Sequence, residues 1–451
     1  MNDKKYLYES MPVSRAVISL ALPTVLSQLI TVIYNMADTF FIGQLGDPAQ
    51  VAAATICMPP FILLSGIANL FGIGGSSLIA RSLGEGNREK AKKTAVFCIF
   101  SSVFVGIIYG LLFLFLKPYL LPFLGTGPST YDHCFSYLFY TVTLGAAPTV
   151  LSGCLSHLVR AEGYSKEASF GIALGGILNI ALDPLFIFAF DMDITGAAVA
   201  TAISNLISAL YFITIVLKRK NTSVISAKPS LYSLKGNIPG EVISVGLPNF
   251  IMNIMAIASN TVLNNLMASY SDAAIAGIGI AKKIDMLTLA VSLGMSQGVI
   301  SLIAYNFSSK NYKRMLSAIK TTFIYIGVVS IVTTLFLFFC AAPVSRFFID
   351  DTKTIEYGQY FLKVLCIICP MQAFSMMVVT IMQAIGKKAP PLVLSFLRKG
   401  LLDTPFMFLL NSLVGVWGIA WATPIAEGIA VFISLFFLIP SIKYIRGLQK
   451  K

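Results

Sequence analysis

The chain has 451 residues, of which 56% are hydrophobic and 12% charged, and its mean hydropathy is +0.81. Soluble globular domains carry about 25% charged residues, so this composition excludes a soluble domain and predicts a membrane protein. The net charge of +13 does not indicate a nucleic-acid partner, because most basic residues lie in alternate connections between apolar segments. The seven cysteines are odd in number and lie mostly in apolar segments, so we predict no disulfide framework.

Apolar segments long enough to cross a bilayer as helices occur about six times in each half of the chain. Backbone groups in lipid must be hydrogen-bonded internally, and the period-two alternation of a membrane barrel is absent, so we predict helices. In chain order the helices are predicted near 14–42, 51–80, 94–116, 132–159, 168–190, 195–217, 241–269, 273–306, 321–342, 355–385, 392–411 and 417–439. The predicted fold class is an all-α polytopic membrane protein with twelve transmembrane helices.

The second half of the sequence repeats the first, largely at an offset of 225 residues. The matching segments are ISLALP from Ile18 and ISVGLP from Ile243, LGDPAQVAAATI from Leu45 and YSDAAIAGIGIA from Tyr270, LDPLF from Leu182 and LDTPF from Leu402, and GAAVATAIS from Gly196 and GIAWATPIA from Gly418. Repeats of this kind are typical of secondary transporters, which bind substrate between the repeats and move one against the other. We predict an N-terminal lobe at 1–217, a basic cytoplasmic linker at 218–240 and a C-terminal lobe at 241–451.

The basic residues predict the orientation in the membrane. They collect in the connections at 4–15, 81–93, 160–166, 218–235, 310–320, 387–388 and 443–451, whereas the opposite side contains acidic loops such as Asp191–Asp193. By the positive-inside rule, both termini are predicted to be cytoplasmic in a multi-pass protein of the cell (inner) membrane. An even number of helices per repeat gives both repeats the same orientation, with their axis along the membrane normal.

Polar residues within the first predicted lobe are the candidates for a functional site. A charged side chain in a spanning helix costs several kcal/mol, on the order of 3 kcal/mol or more, so each needs a partner or a water-filled cavity. Asp38 lies well inside the first helix, and Asn35 and Tyr34 precede it by three and four residues on the same face. Asn179 and Asp183 share a face of the fifth helix by the same spacing.

Pro184 follows Asp183 directly and removes one helical hydrogen-bond donor, which predicts a kink with a free carbonyl beside the two polar side chains. Thr201 on the sixth helix could add a hydroxyl. If Asp38 and Asp183 converge, burial and mutual repulsion both disfavour ionisation, so the pair could load and release a proton near neutral pH. The same oxygens at Asp38, Asn179, Asp183 and Thr201 could instead bind Na⁺, or each acid could be a hydrogen-bonded packing device.

The second predicted lobe carries a different set of charges. The candidate substrate contacts are Lys282, Lys283, Asp285, Arg398, Asp403 and Glu427. Lys399 and Asp403 are four residues apart and could form a local ion pair without a role in transport, and Arg398 and Lys399 could extend to the cytoplasmic face.

In the first lobe, His157 near the end of the fourth helix could titrate or stay neutral and hydrogen-bonded.

Prolines in the predicted helices are hinge candidates, because each removes a helical hydrogen bond. They are Pro23, Pro184, Pro248 and Pro405. No nucleotide-binding motif is visible, so an ion gradient or another subunit must supply the energy. No catalytic triad or metal-ligand set is visible either, so an enzyme, a resident metal and an organic cofactor are not predicted.

Taken together, these residues resemble the multidrug and toxic compound extrusion (MATE) family over almost the whole chain. The motifs are LALPTVLSQL, YNMADTFFIGQLG, ARSLGEGNREKAKK, RAEG from Arg160, LNIALDPLFIF from Leu178, GAAVATAIS, LIAYNFSSKNYKRM from Leu302 and GVWGIAWATPIAE from Gly415. The resemblance implies two six-helix lobes that form a V around a central cavity, with drug exported against a proton or sodium gradient.

Within that family the chain resembles the DinF-like branch, whose acidic cluster matches Asp38, Asn179, Asp183 and Thr201. Tyr140 matches a tyrosine of the same cluster, and His157 stands where the branch has an asparagine. The predicted function is therefore a multidrug efflux antiporter that confers antibiotic resistance by exchanging amphipathic, cationic compounds for H⁺ or Na⁺. The alternative is a flippase for lipids or polysaccharide precursors. Expected partners are small-molecule drugs and membrane lipids, and a monomer is the expected state.

Overall fold

The computed structural model describes residues 5–225, 237–348 and 351–449, and α-helices cover nearly all of them. In the first half the α-helices are α1 (Val13–Gly43), α2 (Pro48–Ile56), α3 (Met58–Gly84), α4 (Arg88–Leu124), α5 (Tyr131–Leu138), α6 (Ala146–Ala161), α7 (Ser165–Pro184) and α8 (Asp193–Lys218). In the second half they are α9 (Ile238–Ala268), α10 (Asp272–Ser308), α11 (Tyr312–Phe339), α12 (Ala341–Phe348), α13 (Thr352–Ile367), α14 (Cys369–Ala384), α15 (Ala389–Phe396), α16 (Asp403–Val414), α17 (Val416–Ile419) and α18 (Ala422–Gln449). The prediction of an all-α membrane protein is confirmed.

Among the described residues, nine helices are long and apolar enough to span a membrane, or up to eleven if two bent pairs count as one span each. The bent pairs are residues 131–144 with α6, at 51°, and α13 with α14, at 43°. The remaining predicted span, 392–411, corresponds to α15, a π-helical segment (Leu397–Leu402) and α16. The π-helical segment interrupts its α-helices, and Arg398, Lys399 and Asp403 lie within this span.

The described chain separates into two compact units. Of the described residues, unit 1 contains 5–7, 26–225 and 237–250, and unit 2 contains 8–25, 251–348 and 351–449. The predicted linker at 218–240 lies mostly outside the described residues, and the structure describes it only up to 225 and from 237. The compact units differ from the predicted lobes because α1 passes from one unit to the other after Val25, and α9 does so after Phe250.

The predicted hinge prolines lie in different settings. Pro23 and Pro248 are inside α1 and α9, each two residues before the helix passes into the other unit. Pro184 is the last residue of α7, and the chain continues as a π-helical segment (Leu185–Ala189). Pro405 lies in the first turn of α16, directly after the π-helical segment Leu397–Leu402, so its missing N–H falls within a continuous helical stretch. The hinge role of Pro405 stays a prediction.

Glycines allow the start of α9 to pack closely on α3 within unit 1. A Cβ at Gly74 would overlap the carbonyl oxygen of Val242, and a Cβ at Gly246 would overlap that of Leu70. Small residues let two helix backbones approach in this way. The contact fixes the first part of α9 against α3.

Unit 2 contains the same kind of contact between the start of α1 and α10. A Cβ at Gly298 would lie 2.6 Å from the Cα of Ala21, and one at Gly294 would lie 2.5 Å from the Cα of Val25. The internal repeat is therefore visible in helix packing as well as in sequence.

In each unit, a basic residue at the third position of a helix forms hydrogen bonds near the start of α9 or of α1. The donors are Lys90 of α4 and Arg314 of α11. Lys90 donates to Glu241 with an Nζ to Oε1 distance of 3.1 Å in unit 1. Arg314 donates to the carbonyl oxygens of Tyr8 and Met11, each at 2.6 Å, in unit 2. These bonds add a second fixed point to the first turns of α9 and to the segment before α1.

Candidate functional site

Four of the polar residues predicted in the first lobe come together in unit 1. Asn179 on α7 donates from Nδ2 to Oδ1 of Asp183 at 3.2 Å and to Oγ1 of Thr201 on α8 at 3.1 Å. Asp38 on α1 interacts electrostatically with Asp183. All four side chains are buried, and Asp183 is 0% exposed. We call Asp38, Asn179, Asp183 and Thr201 the acidic cluster.

The acidic cluster contains oxygens that lack hydrogen-bond partners within the described part of the chain. They are Oδ1 of Asp38, Oδ2 of Asp183 and Oδ1 of Asn179. A buried oxygen without a partner costs about 1–3 kcal/mol, and more when it is charged. Two carboxylates and an amide oxygen together are acceptors only, so the arrangement can be completed by a proton or by a hard cation.

A tyrosine that the sequence analysis did not select contacts the acidic cluster. Tyr137 on α5 donates to Oδ2 of Asp38 at 3.4 Å. The predicted Tyr140 instead lies in the π-helical segment Phe139–Leu144 and packs on Phe139, with 5.4 Å between ring centroids. Among the described side chains, Tyr140 makes no hydrogen bond to the acidic cluster. The π-helical segment begins between the two tyrosines, so spacing along an ordinary helix does not predict which of them faces Asp38.

The other predicted residues of the first helix lie beside the acidic cluster. Tyr34 is hydrogen-bonded to the side chain of Asn35 and interacts electrostatically with Asp38 and Asp183. The Asn35 carbonyl also accepts a hydrogen bond from Thr39 at 3.0 Å. Tyr34 therefore borders the carboxylates, whereas Asn35 makes no hydrogen bond to the acidic cluster among the described residues.

His157 belongs to a separate network in unit 1. Its Nδ1 lies 3.2 Å from Nη1 of Arg160, and its Nε2 lies 3.1 Å from Oδ1 of Asn69. A guanidinium can only donate, so Nδ1 must be the acceptor and Nε2 carries the hydrogen. The imidazole is therefore neutral in this arrangement, and protonation would break its bond to Arg160. The contacts favour the neutral histidine over a titrating one.

Unit 2 contains a fully buried ion pair between Arg398 and Glu427, whose side chains are 2% and 1% exposed. The guanidinium donates through Nη2 to Oε1 at 2.7 Å and through Nε to Oε2 at 3.0 Å. Two parallel bonds of this kind fix the relative orientation of the two side chains and also pair their charges. Arg398 therefore does not extend to the cytoplasmic face.

Asp403 is the centre of a second set of contacts in unit 2. Lys399 donates to its Oδ2 at 3.4 Å, which confirms the proximity expected from their spacing. Ser259 donates to the same oxygen at 2.7 Å, and Thr423 donates to Oδ1 at 2.9 Å. Asp403 is 0% exposed, and both its oxygens have partners. Ser259 and Thr423 were not among the predicted site residues.

Lys282 and Asp285 interact electrostatically with the charged residues around Asp403 and Glu427. Lys282 interacts with Asp285, Lys399 and Asp403, and Asp285 also interacts with Glu427. Lys282, Arg398 and Lys399 thus face the three acids Asp285, Asp403 and Glu427. These six residues, the charged network, balance in formal charge. Lys283 has an exposed side chain and lies outside this network.

Among the described residues, no group of three or more His, Cys, Asp and Glu side chains is placed to hold a metal ion. The acidic cluster has two carboxylates with neutral oxygens, a set that suits an exchangeable light cation better than a resident transition metal. A multi-pass helical protein with an internal repeat and buried, incompletely paired carboxylates has the construction of a secondary transporter.

The MatE family model matches residues 23–185 and 248–409, once in each half of the chain. The multidrug export protein MepA of Staphylococcus aureus (strain MRSA252) is 31% identical over 437 residues, covering 97% of this chain and 96% of the relative. The protein of the same name from Staphylococcus saprophyticus is 30% identical with the same coverage. This chain belongs to the MatE family, and the resemblance to MATE transporters is confirmed.

Solved structures show the same fold. A MATE transporter crystallised with MaL6 has a TM-score of 0.91 and 22% identity, covering 99% of this chain and all of that chain. A MOP superfamily transporter from Pyrococcus furiosus has a TM-score of 0.90 at 22% identity, with 99% of both chains covered. The fold is therefore that of the MATE transporters, which agrees with the predicted arrangement of twelve helices.

Proposed function

We propose that this chain is a multidrug efflux antiporter that exports amphipathic, cationic small molecules across the cell membrane in exchange for H⁺ or Na⁺. Relatives named as multidrug export proteins, which match over nearly the full length, support the export of drugs. The DinF-like pattern of the acidic cluster supports ion coupling in unit 1. The basic connections support cytoplasmic termini.

The unpaired oxygens of the acidic cluster carry this proposal. Two buried carboxylates repel each other, and a bound proton or Na⁺ removes part of that repulsion. A proton on one carboxyl would give the cluster a donor, whereas Na⁺ would use the oxygens of Asp38, Asp183 and Asn179 as ligands. Loading and release of the ion would then favour different arrangements of α1, α7 and α8. An ion can shift such an equilibrium only through its different affinity for the two states.

The available energy is sufficient for export. A membrane potential of about 150 mV is worth roughly 3.4 kcal/mol for each elementary charge that crosses. This free energy corresponds to a concentration ratio of a few hundredfold, on the order of 300. Exchange of one monovalent ion for one singly charged drug moves no net charge, so the membrane potential contributes only if at least two ions enter for each such drug molecule.

We expect Asp183→Asn to reduce export to background while the protein still inserts, because the amide keeps the size of the side chain but removes its charge. Uptake of a fluorescent cationic dye into proteoliposomes measures this, first under a pH gradient without sodium and then under a sodium gradient without a pH difference. Asp132→Asn is the matched control, since Asp132 is an exposed acid in the first turn of α5.

The results of the uptake assay distinguish the possible coupling ions. Uptake driven only by the pH gradient and lost in Asp183→Asn identifies H⁺ as the coupling ion, and uptake driven only by sodium identifies Na⁺. Full activity of Asp183→Asn would remove Asp183 from the mechanism. Uptake under neither gradient would contradict the antiporter, and accumulation of lipid-linked sugars in a deletion strain would then support the flippase.

A further inference from the structure

The two units carry the same three-residue polar motif. The match of LDPLF with LDTPF pairs Asp183 with Asp403, and therefore Asn179 with Lys399 four residues earlier. The match of GAAVATAIS with GIAWATPIA pairs Thr201 with Thr423 in the same way. Each motif thus has an aspartate, a donor one turn before it, and a threonine from the next helix of the repeat.

The contacts within the two motifs correspond. In unit 1, Asn179 donates to its aspartate at 3.2 Å, and in unit 2 Lys399 donates to its aspartate at 3.4 Å. Thr423 donates directly to Asp403, whereas Thr201 accepts from the amide. The sequence match is therefore also a match in geometry inside each unit.

The two motifs differ in charge and in how many of their oxygens have hydrogen-bond partners. Unit 1 adds a second acid, Asp38, whose counterpart at the offset of 225 is the buried apolar Leu263. Tyr34 corresponds at the same offset to Ser259, which donates to Asp403. In unit 1 the motif with Asp38 therefore has two carboxylates and a neutral amide, with oxygens left unpaired in the described structure. In unit 2 the motif has one carboxylate and one ammonium, and Asp403 has no unpaired oxygen there.

We propose that Lys399 is a tethered cation, whose ammonium supplies to Asp403 the positive charge that the exchangeable ion supplies to the acidic cluster. The proposal rests on the proposed ion coupling in unit 1. An ammonium has three donors and a fixed attachment to the chain, so it can satisfy the aspartate but cannot leave. Unit 2 then binds no coupling ion, and the chain exchanges ions at a single site.

The surroundings of Lys399 agree with this assignment. Arg398 is paired with Glu427, and Lys282 interacts electrostatically with both Asp285 and Asp403. Lys399 donates a hydrogen bond directly to Asp403. Removing Lys399 would leave the charged network with one uncompensated negative charge in a buried position. Such a charge is costly and recruits a proton or another cation.

The proposal is tested with Lys399→Asn, which gives unit 2 the residue found in unit 1. The purified full-length chain is assayed for bound cations by equilibrium binding of radioactive Na⁺ and by proton uptake in weakly buffered solution. We expect Lys399→Asn to bind an additional cation per chain, and to keep this gain when combined with Asp183→Asn. Lys399→Arg, which retains the charge, and Lys313→Asn, which removes an exposed lysine of the same unit, should bind as many cations as the wild type.

The outcomes separate this proposal from the proposed function. No gain in a folded Lys399→Asn chain overturns the tethered cation, whereas equal binding by the wild type and Asp183→Asn would instead overturn the coupling site in unit 1. If Lys399→Asn does not fold, the reciprocal Asn179→Lys decides. Its ammonium should lower cation binding to the level of Asp183→Asn, and binding at the wild-type level would contradict the proposal.

Discussion

The Arg398–Glu427 pair is the clearest case in which a single residue controls stability. Removing one partner of a buried pair leaves an uncompensated charge and costs about 3–5 kcal/mol, whereas replacing both by apolar residues is often neutral. We expect Arg398→Met and Glu427→Leu each to lower the thermal unfolding midpoint strongly, and the double variant to lower it less than either single change. Thermal unfolding of the purified protein in detergent measures the three midpoints.

The matched control is the ion pair between Lys93 and Glu89, whose side chains are 36% and 77% exposed. Solvent screens an exposed pair, so Lys93→Met should change the midpoint little. A double variant at Arg398 and Glu427 that is less stable than both single variants would show that the pair stabilises through more than mutual charge compensation.

At the same scale, the sequence predicted the acidic cluster because Asp and Asn in an apolar helix are costly and therefore stand out. Hydroxyl residues carry no such cost, so composition did not indicate Ser259. Thr423 could have been found from the repeat, as the counterpart of Thr201. The choice of Tyr137 over Tyr140 could not be made, because it depends on a π-helical turn that has no composition signal.

At the scale of elements, the long apolar helices were predicted close to their observed positions because length and hydropathy determine them. The breaks were harder to place. The bends between residues 131–144 and α6 and between α13 and α14, and the π-helical segment before α16, arise from local hydrogen-bond register and packing, which hydropathy does not report. The passage of α1 and α9 from one compact unit to the other was likewise not visible in the repeat alone.

Close helix packing at Gly298 leads to a prediction about α10. A Cβ there would lie 2.6 Å from the backbone of Ala21, which cannot move like a flexible side chain. Gly298→Val should therefore destabilise unit 2 by about 1–3 kcal/mol or more through overpacking. A thermal unfolding midpoint lower than that of the wild type is the expected result.

Gly327 on α11 is the control for this change, because a Cβ there would have no heavy atom within 4 Å. Gly327→Ala should be neutral or stabilising by up to about 1 kcal/mol, since alanine has the higher helix propensity. Equal loss of stability in both variants would mean that glycine matters for helix flexibility and not for the approach of α10 to α1.

At the scale of the whole molecule, the repeat places one proline in each helix that passes between the compact units. Pro23 and Pro248 correspond at the offset of 225, and each lies two residues before the change of unit. The first part of each helix is fixed in its own unit by close glycine contacts. A proline near the end of such a fixed part removes a helical hydrogen bond, and helices kink most often at proline. Of the predicted hinge prolines, we therefore expect Pro23 and Pro248 to have the largest effect on transport.

Replacing a hinge proline by alanine restores the missing N–H donor and stiffens the helix. We expect Pro248→Ala to lower the initial rate of dye uptake by roughly tenfold, which corresponds to about 1.4 kcal/mol in the barrier, without weakening equilibrium binding of the dye. Uptake rates in proteoliposomes and fluorescence anisotropy of the bound dye measure the two quantities separately. Pro118 lies inside α4 and within unit 1 alone, so Pro118→Ala should leave the uptake rate unchanged. A similar loss of rate in both variants would contradict a hinge at Pro248, because it would show that any interior proline limits transport wherever its helix lies.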